Sequence, residues 1–357
     1  MTTSAETAWT VETRTRTSTI FLCVAAVLVV VLALAPFYAS RSLIQDLFFI
    51  LTMLVLAQGW NLLAGYAGLV SVGQQAFVGL GAYAMFTGVI LLDLDPLLSI
   101  LLGGAAAALL AVPTAFFTFR LQGAYFAIGT WVAAEIVRLS VAQWKALGGG
   151  TGTSLPRSAT REIFGLEFLK DTFGFKSSAA MDVITFWLAL VLAVITIGVV
   201  YRLLRSRQGL GLAAVRDNQN AARSVGVDAQ RIKTIVYLST AFITGLAGAL
   251  IYLQKARISP DAAFSVLDWT AYVIFIVVIG GIGTIEGPIL GVLIFFALQN
   301  SLSGYGSWYL LVLGLLGIVI MLFAPRGLWG LFTDRTGIEL FPIRRRLSGG
   351  STDKTGG

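Results

Sequence analysis

Ten apolar runs, each about 20 residues long, constrain the fold of this chain more than any other feature. A helix needs about 20 mostly apolar residues to cross the hydrocarbon core of a bilayer. The sequence therefore predicts an all-α polytopic membrane protein with about ten transmembrane helices. The runs occupy residues 20–37, 45–65, 72–92, 97–119, 121–143, 183–203, 235–255, 267–283, 285–302 and 307–324.

The composition agrees with burial in a lipid bilayer. Charged residues make up 12% of the chain and apolar residues 57%, whereas soluble proteins carry about 25% charged residues. There is no histidine and one cysteine, Cys23, so an intrachain disulfide and a Cys/His metal site are excluded. The net charge of +7 comes from basic residues beside the apolar runs. This distribution is typical of orientation in a membrane, and no nucleic-acid partner is expected.

The basic residues also predict the topology. If the N-terminus is cytoplasmic, ten spans place 16 of the 25 Lys and Arg residues on the cytoplasmic side, and cytoplasmic segments are enriched in both. We therefore expect cytoplasmic tails at 1–19 and 326–357 around a membrane domain at 20–325. An extracytoplasmic loop is expected at 144–181. The tail from Thr333 onward is expected to be solvated, with little structure.

The first apolar run has an alternative interpretation. Arg14 and Arg16 precede it and Ala33-Leu34-Ala35 ends it, which also fits a cleavable signal peptide. An uncleaved first span is the preferred interpretation, because further spans follow at once.

Residues 205–233 form a basic, polar and helix-compatible segment between two spans. Within it, NAARSVG at 220–226 follows the spacing E-A-A-x-x-x-G, with Asn in place of Glu. This pattern resembles the cytoplasmic loop by which permease subunits of ATP-binding cassette (ABC) importers dock onto their ATPase. Small residues let a short helix seat closely in a partner's cleft, and Gly ends the helix. The predicted coupling residues are Asp217, Asn218, Ala221, Ala222 and Gly226.

Two segments concentrate glycine, NLLAGYAGLVSVGQQAFVGLGAY at 61–83 and VIGGIGTIEGPILG at 278–291. Paired Gly- or Pro-interrupted segments in the two halves of a transporter indicate its binding region. We therefore predict two related halves with Gly/Pro-broken helices near the midplane. Gly283, Gly287 and Gly291 are four residues apart, a spacing that allows close helix approach. Packing alone is the alternative explanation of the pattern.

Polar side chains in these segments are candidates for a solute pathway. An unpaired amide facing lipid costs several kcal/mol, so these groups are expected to face protein or a water-filled cavity. Amides can hold both charges of a zwitterion without adding net charge. The alternative is that the two glutamines only tie helices together. The predicted pathway residues are Asn61, Tyr66, Ser71, Gln74, Gln75 and Glu286.

Three segments, at 61–83, 209–250 and 280–291, together resemble the permeases of branched-chain amino acid ABC importers of the LivM type. The similarity covers most of 45–325, and the motifs occur in the expected order. The resemblance implies an importer in a bacterial or archaeal cell (inner) membrane, with a second, LivH-like permease subunit, cytoplasmic ATPases and an extracytoplasmic substrate-binding protein. Leucine, isoleucine and valine are the implied substrates, although related permeases carry urea, short amides and other small solutes.

The energy source is expected to lie outside this chain. No G-x-x-x-x-G-K-[ST] motif occurs, so the chain has no P-loop for ATP. We predict a transport subunit that is not an enzyme and has no cofactor, with ATP and Mg bound by the partner ATPase. The alternatives are an ion-coupled secondary transporter, for which Glu135, Arg138 and Glu286 are the candidate charges, and a channel. Glu135 and Arg138 are expected to form an i,i+3 ion pair.

Overall fold

The structure is a computed structural model. It describes residues 10–12, 16–156, 158–159, 163, 165–174, 176–302, 304, 306, 308–337, 340–342 and 346–348.

Nearly all of the described regular structure is helical. The helices are α1 (Arg16–Leu34), α2 (Arg41–Asn61), α3 (Gln74–Leu91), α4 (Pro96–Thr118), α5 (Ala124–Ala142), α6 (Leu166–Phe173), α7 (Ser177–Arg205), α8 (Arg207–Asp217), α9 (Gln219–Ser224), α10 (Ala229–Lys255), α11 (Pro260–Ala263), α12 (Tyr272–Gly280), α13 (Glu286–Leu302), α14 (Trp308–Phe323) and α15 (Gly327–Thr336). Single π-helical turns at Leu62–Tyr66 and Leu267–Ala271 extend α2 and precede α12. Short strands β1 (Thr10–Glu12), β2 (Thr153–Ser154), β3 (Arg257–Ile258) and β4 (Arg346–Ser348) pair antiparallel as β1–β4 and β2–β3.

The predicted spans correspond to the observed helices. Among the described residues, nine helices are long and apolar enough to cross a membrane. The remaining predicted span, 285–302, corresponds to α13, a shorter apolar helix of 17 residues, which extends about 26 Å at 1.5 Å per residue. The prediction of an all-α polytopic membrane protein is confirmed.

Small residues bring the central helices together. Helices α3, α4 and α10 pack against one another, while α2 contacts α7, α10, α12 and α13. Gly81 of α3 lies against the backbone of Gly245 in α10, where a Cβ atom would overlap. Gly291 of α13 likewise lies against the carbonyl of Ile276 in α12, which confirms the predicted close approach at this glycine.

The connections between spans gather at two ends of the bundle. We call the end that carries residues 205–228 the loop end. Arg216 from this loop donates a hydrogen bond to the carbonyl of Gly65, and β1 pairs with β4 so that Thr10 lies opposite Ser348. At the opposite end, β2 pairs with β3.

Part of the C-terminal tail is ordered against the bundle. Helix α15 reaches Thr336, and the backbone of residues 340 and 341 hydrogen-bonds to a side chain at the start of α13. The expectation of little structure after Thr333 was wrong for these residues, because their backbone and side chains find partners on the bundle. Within the predicted tails, the structure describes residues 10–12, 16–19, 326–337, 340–342 and 346–348.

Cysteine labelling tests which end faces the cytoplasm. On a Cys23→Ser background, a membrane-impermeant thiol reagent added outside the cell should label cysteine at position 150 or 170. The reason is that most Lys and Arg residues lie in the segments predicted to be cytoplasmic, which places the 144–181 loop outside. Position 218, at the loop end, should react only after the membrane is opened. Labelling of position 218 from outside would reverse the topology. Ser351, expected to behave like position 218, lies outside the described residues.

Candidate functional site

The first helix break lies after α2, at residues 67–73. The chain passes the π-helical turn and then folds back along α2, with Gly68 in a left-handed conformation at φ +69°. The Trp60 Nε1 donates to the carbonyl oxygen of Ser71 at 2.8 Å. Helix α3 then begins beside Gly59, since the Gln74 amide lies near that glycine. The non-helical backbone of the break therefore lies inside the bundle. There, other groups of the protein must supply hydrogen bonds to its backbone N–H and C=O groups.

The second break, residues 281–285, separates α12 from α13. Gly281 and Gly283 have φ values of +141° and +76°, which favour glycine. The Thr284 hydroxyl donates to the Gly281 carbonyl at 2.9 Å and accepts from the Gly287 amide at 3.0 Å. These bonds fix a tight turn directly before α13.

One asparagine joins the two breaks. The Asn61 Nδ2 donates to the Thr284 carbonyl at 2.7 Å, and the Gly283 amide donates to Asn61 Oδ1 at 2.8 Å. The Gln58 Nε2 donates to the Ile285 carbonyl at 2.6 Å. At Gly65, a Cβ atom would lie 2.5 Å from the Gly283 nitrogen, so glycine is needed for this approach. The structure thus brings together the two glycine-rich segments that the sequence paired.

An arginine of the loop contacts the first break. Arg216 Nη1 donates to the Gly65 carbonyl at 3.0 Å. A groove of about 520 Å³ lies beside it, lined by residues 67–70, 121–124 and 215–219, among others. Arg216 was not among the predicted site residues, because a single arginine in a basic loop gives no pattern of its own.

The predicted pathway residues next to the first break form a buried polar cluster of Ser71, Gln74 and Gln75. Gln74 Nε2 donates to the Thr244 hydroxyl at 2.7 Å, and the Thr270 hydroxyl donates to Gln75 Oε1 at 2.5 Å. The Ser71 hydroxyl accepts from the backbone at 3.2 Å. Gln74 Oε1 has no hydrogen-bond partner among the described residues. Both glutamines therefore connect α3 to other spans, and one keeps a free acceptor.

The other predicted pathway residues occupy different surroundings. Asn61 is engaged between the breaks, as described above. The Tyr66 hydroxyl is buried and has no partner in the described part of the chain. Glu286 Oε1 accepts backbone hydrogen bonds from Leu340 at 3.2 Å and Phe341 at 2.9 Å. The six residues predicted together thus occupy four distinct surroundings: the cluster of Ser71, Gln74 and Gln75, and the separate positions of Asn61, Tyr66 and Glu286.

The loop between α7 and α10 is helical, as predicted. Asn218 begins α9, and its Oδ1 accepts from the amides of Asn220 and Ala221 at 3.1 Å each, an N-cap arrangement. Asp217 is exposed beside it. Ala222 is only 3% exposed, because it packs against Val215 and Ala229 inside the loop. Ala222 therefore holds the loop together and presents no surface to a partner.

The exposed side of α9 carries Ala221, Val225 and Gly226. Gly226 has φ +85° and follows the helix end, as the spacing predicted. Val225 is 77% exposed, an unusual exposure for a branched apolar side chain in a polar loop. Val225 was not among the predicted coupling residues, although its apolar side chain in a largely polar loop was an available signal.

The predicted charge pair in α5 is present. Arg138 Nη2 lies 2.6 Å from Glu135 Oε1, and Arg138 Nη1 lies 2.6 Å from Asp261. Arg138 thus links α5 to α11, and the pairing of Glu135 favours the structural interpretation of these charges over a proton relay.

In the described part of the chain, ten apolar helices, two joined breaks and a structured polar loop define a polytopic membrane protein of the transporter class. A family model described as "Branched-chain amino acid transport system / permease component" matches residues 42–324. The chain belongs to this family of permeases, and it is a transport subunit.

Individual proteins similar to this chain are also permeases. The LivM permease protein of the high-affinity branched-chain amino acid transport system of Escherichia coli K12 is 32% identical over 321 residues, 85% of this chain and 73% of the relative. A probable LivM permease of Methanocaldococcus jannaschii is 27% identical over 219 residues, 61% of this chain and 58% of that relative. The ribose import permease RbsC of Bacillus subtilis is 35% identical over 114 residues, 30% of this chain and 35% of that relative. No solved structure matches the chain.

A substitution at Gly65 tests the contact between the breaks. Gly65→Val should lower the free energy of unfolding by about 1–3 kcal/mol, because its side chain overlaps Gly283 and Asn61. Gly198→Val is the matched control: this exposed helical glycine has nothing within 4 Å, and its substitution should change stability by less than about 0.5 kcal/mol. Unfolding in detergent, followed by circular dichroism, measures both. Equal stability of the two variants would contradict the contact.

Proposed function

We propose that this chain is the permease subunit of an ABC importer for branched-chain amino acids, namely leucine, isoleucine and valine, or a related small polar solute. Cytoplasmic ATPase subunits drive transport, a second permease subunit completes the membrane domain, and an extracytoplasmic binding protein delivers the solute. Family membership and the relatives' names support this assignment. Both termini lie in the cytoplasm, and ATP and Mg bind to the ATPase, since this sequence has no P-loop motif.

The observation that carries the mechanism is the hydrogen bond from Arg216 to Gly65. It connects the loop directly to the first break, and Asn61 connects that break to the second. When the ATPases close on ATP, they move the docked loop. This movement reaches both breaks through fixed polar contacts and shifts the spans that follow them. Transport thus couples two states of the spans to the state of a distant partner.

The ATPase docks on the exposed side of the loop. Asp217, Asn218, Ala221 and Gly226 lie on or beside this surface, and Val225 is its apolar centre. Apolar groups at the centre of an interface and polar groups at its rim are usual in protein complexes. Ala222 contributes indirectly, by packing α9 against the start of α10.

The solute passes the polar cluster at the start of α3. Gln74 Oε1 is buried without a partner in the described structure, and a buried unpaired acceptor costs about 1–3 kcal/mol. A solute ammonium group would supply the missing donor during passage. Ser71 and Gln75 flank this acceptor, Asn61 and Tyr66 lie on the preceding turns of the chain, and Glu286 borders the second break.

Uptake by reconstituted importer tests the function. Proteoliposomes that contain this chain, its second permease subunit and its ATPases should take up radiolabelled leucine only under two conditions. ATP must be present on the side of the membrane that carries the ATPases, and the binding protein must be present on the other side. Uptake that follows a proton or sodium gradient without ATP would instead identify an ion-coupled transporter. ATP-dependent uptake of another small solute in place of leucine would support the ABC mechanism and identify a different substrate.

Val225→Asp tests the docking surface. A carboxylate buried in the docking cleft carries a penalty of several kcal/mol, so the ATPase should no longer co-purify and uptake should be lost. Val225→Thr keeps the side-chain shape and should retain both. An aspartate variant that co-purifies with the ATPase and transports normally would remove Val225 from the interface.

Gln74→Leu and Thr244→Val separate a pathway from a packing role. Gln74→Leu should raise the KM for uptake about tenfold, because a hydrogen bond to a charged group contributes about 1.5 kcal/mol. Thr244→Val removes the inter-helix bond to Gln74 but leaves the amide in place. It should leave KM nearly unchanged. Equal losses of uptake in both variants, in proportion to lost assembly, would show that Gln74 only ties helices together.

A further inference from the structure

The C-terminal segment 340–342 contacts Glu286, the residue directly after the second break. The amides of Leu340 and Phe341 both donate to Glu286 Oε1. Glu286 is only 8% exposed, and a buried carboxylate needs such donors to offset the loss of water. It also stands in the first turn of α13, where the helix dipole favours negative charge. The carboxylate is therefore a fixed attachment point.

The side chain of Phe341 extends this attachment to two outer spans. Its ring centroid lies 5.2 Å from that of Phe21 in α1 and 5.6 Å from that of Tyr201 in α7. Both pairs are edge-to-face, a favourable geometry for aromatic rings. One three-residue segment thus joins α1, α7 and α13.

This attachment and the Asn61 contacts hold consecutive residues at the end of the second break. Asn61 and Gln58 of α2 bind the carbonyls of Thr284 and Ile285, and the next residue, Glu286, binds the C-terminal segment. The turn is therefore connected to α2 through Asn61 and Gln58 and, through Glu286 and Phe341, to α1 and α7.

We propose that Leu340–Pro342 form a C-terminal strap and that Glu286 is a positioning residue for transport. The strap stays bound throughout the cycle and makes the second break move with α1 and α7. Movement of the loop then shifts these spans as a unit. Without the strap, the break moves alone and ATP is hydrolysed without solute transfer. This inference rests on the proposed function, because it concerns the coupling of ATP hydrolysis to transport.

Two truncations isolate the strap in the reconstituted importer. A chain that ends after residue 342 keeps the strap, and a chain that ends after residue 339 lacks it. The readout is leucine transported per ATP hydrolysed, which a purely structural loss would leave unchanged for the importer that still assembles. The shorter chain should lose about tenfold in this ratio (about 1.4 kcal/mol), and the longer chain should match the full chain.

Glu286→Gln and Phe341→Ala should lower the same ratio in the full-length chain, the first by weakening the anchor and the second by releasing α1 and α7. An unchanged ratio in the shorter truncation and in both substitutions would overturn the proposal. Absence of ATP-dependent uptake by the unmodified importer would contradict the proposed function instead, and the two failures are thereby distinguished.

A disulfide tests whether the strap stays bound. On a Cys23→Ser background, Phe21→Cys with Phe341→Cys should form a disulfide in membranes treated with a mild oxidant such as copper–phenanthroline, even without the ATPase. Leu22→Cys with Phe341→Cys is the matched control, since Leu22 is exposed on another side of α1, and it should stay reduced. The cross-linked importer should retain uptake. Failure to cross-link, or loss of uptake that a reductant restores, would contradict a permanently bound strap.

Discussion

The side chain of Asn61 is the contact on which the rest of the arrangement depends. Its carboxamide donates through Nδ2 to one residue of the second break and accepts through Oδ1 from that residue's neighbour, 222 positions along the chain. A carboxamide can satisfy a donor and an acceptor at once, which an apolar or a charged side chain of this size cannot do. Because the two breaks are held together, a force applied to either one reaches the other.

The bilayer explains why these contacts are necessary. Non-helical backbone within a membrane must be satisfied by protein or by enclosed water. Trp60, Gln58 and Thr284 meet this requirement around the breaks, and Arg216 adds a charged donor from the loop. The same bonds that stabilise the breaks therefore connect them to the surface on which a partner docks.

The sequence predicted the features that depend on local composition. The length of the apolar runs predicted the spans, and the clustering of glycine predicted the two breaks. The basic, polar and helix-compatible sequence after α7 predicted the helical loop. Contacts between distant segments were not predictable in this way. Ala222 turned inward and Val225 outward because of how α9 packs on its neighbours. The partners of Glu286 were not predictable either, because they lie in a short C-terminal segment with no sequence pattern of its own.

Hydrogen exchange measured by mass spectrometry tests the joining of the breaks most directly. The amide of Gly283 is bonded to Asn61, and opening of that bond exposes it to exchange. In the purified chain, Asn61→Leu should accelerate exchange in peptides that cover 281–286 as well as in those that cover 62–69, while peptides from α4 stay protected. Faster exchange confined to 62–69, with 281–286 unchanged, would show that the two breaks are held independently and would contradict the account.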